Sequence, residues 1–541
     1  MNREMSEVLV RTGAGTPMGA LMRRYWVPVL LAREIAEPDG PPVRVQILGE
    51  KLLAFRDTEG RAGLISEFCS HRGVSLYYGR NEEGGIRCSY HGLKFNRLGE
   101  CVEVPSAPHA CKQMGIAGYP CIERAGIVWA YLGPKGTEPA PPDVEWCTLP
   151  DSHVFVSKRL QECNYLQAME GGIDTAHVSY VHRYEVDQDP MHRGTKALEY
   201  IKADGNVIFE IEKTDFGLTL YGRRNADPRT YYWRITQWLF PWYTLIPPFG
   251  EHALGGHVWV PIDDHHCWAW SINFRPERPL TGQERADMEA GRGIHCEYEP
   301  DGWRPKANKD NDYLIDRVAQ KEKRAYSGIF GFSVQDASLQ ESMGPIQDHA
   351  NEKLLPTDRA ISMARRMLHD SALALSRGEA PPPALDAACQ RVRSAGVLLP
   401  HATKPGSAGV LDLNPRAGPP TPRHHPRSLD HPEPGAFMHS PALRHAGHPT
   451  LTRPESLPAC RGVPRASGRT RWAAAATLAA LATLAMFASP AVQAQDWVPT
   501  KPVRIIVPIV GSTNDVLARL VAPELQKALG QTFIVENKGG A

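Results

Sequence analysis

The chain has no excess of either charge. Its 541 residues carry 61 Lys and Arg against 60 Asp and Glu, a formal net charge of +1. That balance excludes the basic footprint of a nucleic-acid binder. A disulfide framework is missing too. The 11 cysteines are odd in number and unevenly spread. This usage fits a reducing compartment, where Cys near His more often binds metal. The N-terminal stretch MNREMSEVLVRTGAGTPMG is charged and has no apolar core. No export signal is expected there, and the front of the chain is expected to be cytoplasmic. No membrane span is expected in residues 1–394. No G-x-G-x-x-G fingerprint falls near a strand–helix junction, which argues against a nicotinamide or flavin site.

What is present divides unevenly along the chain. VRVQILGEKLLAF (43–55) and AGIVWAYLG (125–133) are dense in β-branched and aromatic residues and end at turn formers. The stretch 207–275 has the same character and predicts several antiparallel strands. Helical patterns fall at 161–180, 281–291 and 357–377. The second opens on Thr281-Gly-Gln-Glu284, a capping-box spacing. The third repeats apolar residues at Ile361, Ala364, Leu368, Ala372 and Leu375. An all-β domain with an N-terminal extension over 1–150, then an α+β domain over 151–394, is the expected architecture.

Residues 395–465 are dense in Pro, His, Arg and Ala, without periodicity. Proline removes backbone donors and the apolar content is too thin for a core, so a disordered linker is expected. Arginines then precede an apolar run of about 15 residues, Ala473–Phe487, and small residues follow to Ala494. This is the layout of a secretory signal over 466–494. The run is short of the ~20 residues of a membrane helix. Residues 495–541 read as strand, turn, helix, strand.

Two constellations carry chemistry. The first is CSHRGVSLYYGRNEEGGIRCSYHGLKF, with Cys69-x-His71 and Cys88-x-x-His91 separated by 16 residues. Thiolate and imidazole suit zinc and iron–sulfur centres alike. Glycine after each pair, at Gly73 and Gly92, lets two loops approach one centre closely. The spacing is not that of a zinc ribbon. It is the pattern of a Rieske [2Fe–2S] site, with two Cys on one iron and two His on the other. The second is ECNYLQAMEGGIDTAHVSYVH, with Asp174, His177 and His182. Asp174 and His177 share a helix face at i,i+3. His182, five residues beyond His177, requires the helix to end or bend. Two His and a carboxylate can hold a non-haem Fe(II) with positions left open. A structural His pair is the other reading. An upstream cluster that delivers electrons needs an acceptor, which favours the iron.

Together the motifs resemble the Rieske non-haem iron oxygenase α subunits, most closely the phthalate 4,5-dioxygenase-like branch. RTGAGTPMGALMRRYWVPV (11–29) and QDASLQESMGPIQDHANEKLLPTDRAI (335–361) extend the resemblance over roughly residues 5–380. It implies an all-β Rieske domain followed by an α+β helix-grip catalytic domain. It implies that Cys69, His71, Cys88 and His91 hold the [2Fe–2S] cluster. His177 and His182 would hold the mononuclear iron, with the acid after Gln335, Asp336, as third ligand. Glu341, Asp348 and Asp358 lie near it. Asp174 would bridge His177 to the cluster-bound His91 of a neighbouring subunit in a homotrimer. Many relatives place Asn three residues before this acid. Gly171 stands there, and Asn164 is the nearest amide. The resemblance implies O₂ and a separate NAD(P)H-dependent reductase. It implies hydroxylation of a small aromatic substrate, such as phthalate or a related benzoate. Dioxygenation and monooxygenation, including O-demethylation, both remain open. A non-catalytic Rieske electron carrier is the competing class, expected to hold two irons per chain rather than about three. Arg223, Arg224 and Arg234, on strand-like sequence, are candidates to meet a substrate carboxylate. Exposure or structural ion pairs are the other use for them.

The tail has its own resemblance. Pro502-Val-Arg-Ile-Ile-Val-Pro508, Leu517-Ala-Arg-Leu520 and Val535-Glu-Asn-Lys-Gly539 are similar to the start of a periplasmic solute-binding protein of the tripartite tricarboxylate transporter (Bug) family. This implies two reading frames joined in a gene fusion, with 395–465 as translated intergenic DNA. A transport-binding role for the whole chain is not expected, since the tail is too short to form a ligand cleft.

Overall fold

The computed structural model describes residues 1–184, 188–300, 302–379, 384–407, 411, 413–415, 502–507, 513–530 and 532–537. They fall into two compact units divided after Ser428, and each is described by itself.

In the first unit, three small antiparallel sheets come first. One runs Trp26–Leu31, Ile127–Tyr131, Cys121–Arg124 in spatial order. A second runs Val43–Ile47, Glu50–Arg56, Ala62–Ser66, Gly118–Tyr119. The third, Arg80–Glu82, Gly85–Arg87, Lys94–Asn96, Cys101–Glu103, is a short meander. The stretch read as one strand at 43–55 is a hairpin. Leu48 and Gly49 both take positive φ, 50° and 78°, and close a two-residue turn.

The first 22 residues, the expected N-terminal extension of the β domain, also reach the catalytic domain. Helices Arg3–Val10 and Pro17–Met22 pack against the late helix Arg359–Ser376. The Tyr165 hydroxyl donates to Leu9 O and the Asn164 amide to Val10 O. The chain start therefore clamps the catalytic domain. Lys158 ties the two domains together. Its buried ammonium lies 2.7 Å from Glu34 Oε1 and faces the rings of Trp268, Trp270 and Trp303.

The catalytic domain is built on one large antiparallel sheet. Its order is Val154–Gln161, Cys267–Phe274, Leu254–Pro261, Tyr243–Ile246, Thr230–Leu239, Gly217–Asp227, Ile208–Lys213. Helix Tyr165–Ile173 lies on this sheet and packs against helix Phe332–Ser342. The helix expected over 161–180 is thus shorter. Asn164 caps its start, with Oδ1 accepting from Leu166 N–H at 3.0 Å, and Asp174 is its C-cap. The capping box forms at Thr281, whose hydroxyl accepts from Glu284 N–H while the Glu284 carboxylate accepts from Thr281 N–H. That helix spans Gly282–Glu289. A buried ion pair pins the last helix: Arg365 donates to Glu170 from Nε and Nη2 at 2.5 and 2.7 Å.

The linker expected from residue 395 starts later. Ala395–Pro400 is a strand, paired antiparallel with Thr230–Ile235. The reason lies in the partner. Strand Thr230–Leu239 uses only its last residues, Gln237–Leu239, to pair with the short Tyr243–Ile246. Its first half is an open edge, and AGVLLP supplies backbone and apolar side chains to cover it. Leu399 packs there with Tyr221, Trp233 and Ile235. The linker beyond residue 415 and the signal-like segment 466–494 lie outside the described residues.

In the second unit, strand Val503–Val507, helix Thr513–Leu529 and strand Phe533–Asn537 form in the expected order, with the two strands parallel. Among the described residues no helix is long and apolar enough to cross a membrane.

A chain ended after Ser394 is expected to be less stable than one ended after Ser428 by about 2 kcal/mol or more. It uncovers Trp233 and Ile235. Thermal unfolding of both forms checks this, and equal midpoints would show that the strand adds nothing.

Candidate functional site

The first site is made by one loop used twice. Cys69 N–H donates to Val74 O and Gly73 N–H to Cys69 O, at 2.9 Å each. Cys88 N–H donates to Leu93 O at 2.8 Å and Gly92 N–H to Cys88 O at 2.9 Å. Gly73 and Gly92 both sit at positive φ, 70° and 77°, which a side chain resists. The two loops put Cys69 and Cys88 inside an apolar cluster with Leu76, Leu93 and Phe95. His71 and His91 stand outside, exposed, with ring centroids 4.6 Å apart. Two sheltered sulfurs and two exposed imidazoles are a donor set that fits a [2Fe–2S] cluster with one iron facing solvent.

The second site joins two segments far apart in sequence. Helix Tyr165–Ile173 ends before Asp174, so Asp174 and His177 meet across a C-cap and a short 3₁₀ turn, not along a regular helix face. His177 Nδ1 lies 3.3 Å from Asp174 Oδ2. Asp336, on helix Phe332–Ser342, places Oδ1 3.5 Å from His177 Nε2 and 3.2 Å from His182 Nε2. Ligand atoms of the three residues all lie within 4.8 Å of one another. His182 Nδ1 is 2.7 Å from Gln335 Oε1, whose amide donates to Ile329 O. Each imidazole thus has Nδ1 engaged and Nε2 turned to the shared centre. This is how a metal-binding His is oriented. Burial pushes the Asp336 carboxyl up, but the positive fields of His182 and His177 outweigh it and hold the group at about 2. Burial also raises Asp174, and its bond to His177 brings it below its ordinary value. Two imidazoles and a carboxylate on one side leave the other side open, as non-haem Fe(II) chemistry needs. Iron held there would bind and reduce O₂ beside a substrate.

Neighbours set this geometry. Arg224 is buried and donates to Thr175 O, Ser179 Oγ and Asp204 O. It braces the segment that carries His177 and is not among the residues that line the cavity. A Cβ on Gly171 would sit 2.0 Å from Gln340 Nε2, so the Gln340 amide fills the space a side chain at 171 would need. Asn164 does not stand in for the missing amide. Its side chain is spent on the helix cap, Val10 O and Asp264 O. Gln335 and Gln340 escaped the sequence reading, since nothing local marks either.

A cavity partly open to solvent borders the iron set. Arg234 lines it and is 1% exposed. Its Nε donates to Thr175 Oγ1 at 3.1 Å, and its Nη1 has no hydrogen-bond partner. Arg223 does not reach the cavity. It pairs with Trp233 across the sheet and lies over Tyr231, 4.2 Å from the ring centre. Side chains alternate along a strand, so Arg223 and Arg234 fall on opposite faces. A second depression is shared by Asp174, His177, Asp336, Gln340 and Lys353.

Gln335→Leu is expected to weaken Fe(II) binding about 10–100-fold by freeing His182. Iron per chain after dialysis against a chelator measures this, with the cluster's visible absorbance as control. Unchanged iron retention would show that Gln335 does not orient the ligand.

Known proteins are similar to this chain. The Rieske [2Fe-2S] domain family matches residues 25–120, and the LigXa C-terminal domain-like family matches residues 130–403. The oxygenase subunit of 3-chlorobenzoate-3,4-dioxygenase from Comamonas testosteroni is 38% identical over 404 residues, 71% of this chain and 92% of that protein. The oxygenase subunit of phthalate 4,5-dioxygenase from Pseudomonas putida is 36% identical, over 70% of this chain and 87% of that protein. The crystal structure of dicamba monooxygenase bound to dicamba aligns with a TM-score of 0.48 at 19% identity, covering 66% of this chain and 99% of that one. The chain belongs to the Rieske non-haem iron oxygenases, as an oxygenase subunit that carries a Rieske [2Fe–2S] domain and a mononuclear-iron catalytic domain.

Proposed function

We propose that this subunit hydroxylates an aromatic carboxylate with O₂, taking electrons from a separate NAD(P)H-dependent reductase. The observation that carries the reading is Arg234. It is the one cationic side chain lining the iron-side cavity among the described residues, with Nη1 unsatisfied. A buried cation beside an otherwise largely apolar wall suits a carboxylate on a flat ring. The relatives that act on 3-chlorobenzoate and phthalate agree with it. The O-demethylase subunit among the relatives keeps monooxygenation as the second reading. Cys69, His71, Cys88 and His91 hold the cluster, and His177, His182 and Asp336 the iron.

The working assembly in this reading is a head-to-tail homotrimer, with His91 of one subunit beside Asp174 of the next. Surface chemistry supports it. Tyr77, Tyr78 and Tyr90 are exposed around the cluster tip, and Leu339, Met343 and Leu354 are exposed around the depression that contains Asp174. Two apolar rims of this kind suit a subunit contact. The compartment is cytoplasmic, in keeping with ten described cysteines that are all free.

The test is product analysis with reductase, NADH, O₂ and a panel of benzoates and phthalate. Asp174→Asn is expected to keep both iron sites filled and to lower product formation at least 100-fold, the cost of losing the bridge between two ligated imidazoles. Normal turnover in that variant would remove the bridging role. No product from any aromatic acid would remove the substrate class.

We infer that residues from about 466 onward come from a second protein, a periplasmic solute-binding protein of the Bug type. A secretory-type signal inside the chain and the parallel strand–helix–strand unit at 503–537 support this. Intact mass of the protein isolated from its cells is expected to fall short of the 59.8 kDa of the joined chain. Full mass in a single species would sink the idea.

A further inference from the structure

One side chain in the cavity wall has no part in this scheme. His192 sits in a turn pinned by Asp189, which accepts from the N–H groups of Met191 at 2.7 Å and Gly293 at 2.8 Å. The His192 N–H donates to Asp189 O at 3.0 Å. The ring stands edge-on to Phe249 and Phe332, at centroid distances of 5.0 and 4.8 Å. Phe332 packs in turn on His182, at 4.8 Å. Phe249 lies under the Arg234 guanidinium, 4.6 Å away. His192 is therefore one ring from the iron set and one ring from the cavity's cation.

Both His192 ring nitrogens are sealed from solvent without a hydrogen-bond partner. The Met191 backbone is the one polar group beside the ring. The nearby imidazoles are occupied. His257 Nδ1 is 3.1 Å from Trp270 O and 3.2 Å from Ser271 Oγ. His295 bonds Ser157 Oγ at 2.7 Å and Asn273 Oδ1 at 3.0 Å. Buried polar groups are satisfied with few exceptions, and an exception on a residue that lines a cavity calls for an explanation. Burial pushes His192 down to about 3, and the charges of His252, His182 and Arg234 add to the effect. The ring therefore offers one N–H donor and one bare acceptor nitrogen, with no charge.

We propose that His192 is a specificity residue that hydrogen-bonds a hydroxyl group on the substrate, so that the pocket selects an aromatic acid bearing one carboxylate and one hydroxyl. This rests on the reading of Arg234 as the carboxylate anchor. A hydroxyl accepts from an N–H and donates to a bare nitrogen, so it pairs with whichever ring nitrogen it meets. A second carboxylate would face an uncharged imidazole and no second cation. Arg159, whose charge acts on Asp336, donates to Ser333 O and is not part of the cavity wall. A methyl group in the same place would leave both nitrogens unpaired, and a site built around a hydrogen bond rejects such analogues.

Calorimetric titration of the iron-loaded full chain decides it, with benzoate, phthalate, and the three hydroxybenzoates against the three methylbenzoates. The expected result is that at one ring position the hydroxyl acid binds about tenfold more tightly than its methyl counterpart. His192→Phe is expected to bring that ratio near one, and His192→Gln, which keeps a donor and an acceptor, to restore part of it. Arg234→Met is expected to weaken all the acids together. Equal affinity for hydroxyl and methyl acids at every position would overturn the proposal. So would a hydroxyl preference that survives His192→Phe, or phthalate binding more tightly than every monoacid. If no acid binds at all, the carboxylate reading fails, and this one with it. Binding that depends on Arg234 but not on His192 removes the present proposal alone.

Discussion

The catalytic half of the molecule depends on a close approach of three side chains. Asp336 Oδ1 lies within 3.5 Å of Nε2 of both His177 and His182. Even half-buried carboxylates are costly with no cation beside them, since desolvation is expensive. Here Asp174 adds a second carboxylate on the far side of His177. Once both imidazoles give up their protons, as metal ligation requires, two negative charges remain in a small volume. A divalent cation at the shared centre cancels them and takes both Nε2 lone pairs. The donor set thus asks for a metal on charge grounds as well as geometric ones. Iron(II), with open positions toward the cavity, is the choice that uses everything present.

Holding that approach is the work of the surroundings. The two ligand segments are more than 150 residues apart, and neither is stiff alone. The helix that leads to Asp174 stops at Ile173, so the next residues take their shape from outside. Arg224 grips Thr175 and Ser179, and Gln335 grips His182. Gln161 and Gln167 both bond to Gln340, through its side chain and its backbone, so the Asp336 helix is sewn to the rest of the domain. The cluster half solves a different problem by the opposite means. Its ligands lie in two self-contained loops, each closed by its own backbone hydrogen bonds. Few outside contacts are needed, and the exposed imidazoles are left free to meet another surface. A cluster held there would have its cysteine side sheltered and its histidine side at that exposed edge.

This contrast explains what the sequence made legible. Cys69, His71, Cys88 and His91 were readable because a self-closing loop writes its ligands and its glycine side by side. Asp174, His177 and His182 were readable for the same reason, within nine residues. Asp336 needed the family resemblance, because FSVQDASLQES has no local mark of a ligand. Gln335, Gln340 and His192 could not be read, since their roles exist only after distant segments meet. The arginines show a subtler limit. Arg223, Arg224 and Arg234 look alike as strand residues, but strand parity and register send one to the outer face, one to brace a loop and one to the cavity. The strand Ala395–Pro400 was hidden by its company: a short apolar run at the border of Pro-rich sequence reads as linker until an unpaired edge is seen. The overall order of an all-β half before an α+β half was legible, because strand periodicity and capping signals are local.

One contact couples recognition to chemistry. The Arg234 guanidinium bonds through Nε to Thr175 Oγ1, and Thr175 follows Asp174 and lies two residues before His177. A single short segment therefore carries the acid that orients His177, the ligand itself and the prop for the cavity's cation. If a carboxylate sits on Arg234, any shift of the segment moves iron ligand and anchor in the same direction. The distance between the bound ring and the iron centre is then tied through one hydrogen bond, Arg234 Nε to Thr175 Oγ1, rather than left to two unconnected elements. Gly222 allows this, since a Cβ there would press to 2.8 Å on the Thr175 methyl. Reactions of this kind are sensitive to errors of about 1 Å in the placement of the reacting carbon. A mechanical link between anchor and ligand is a direct way to keep that error small while the substrate enters and leaves.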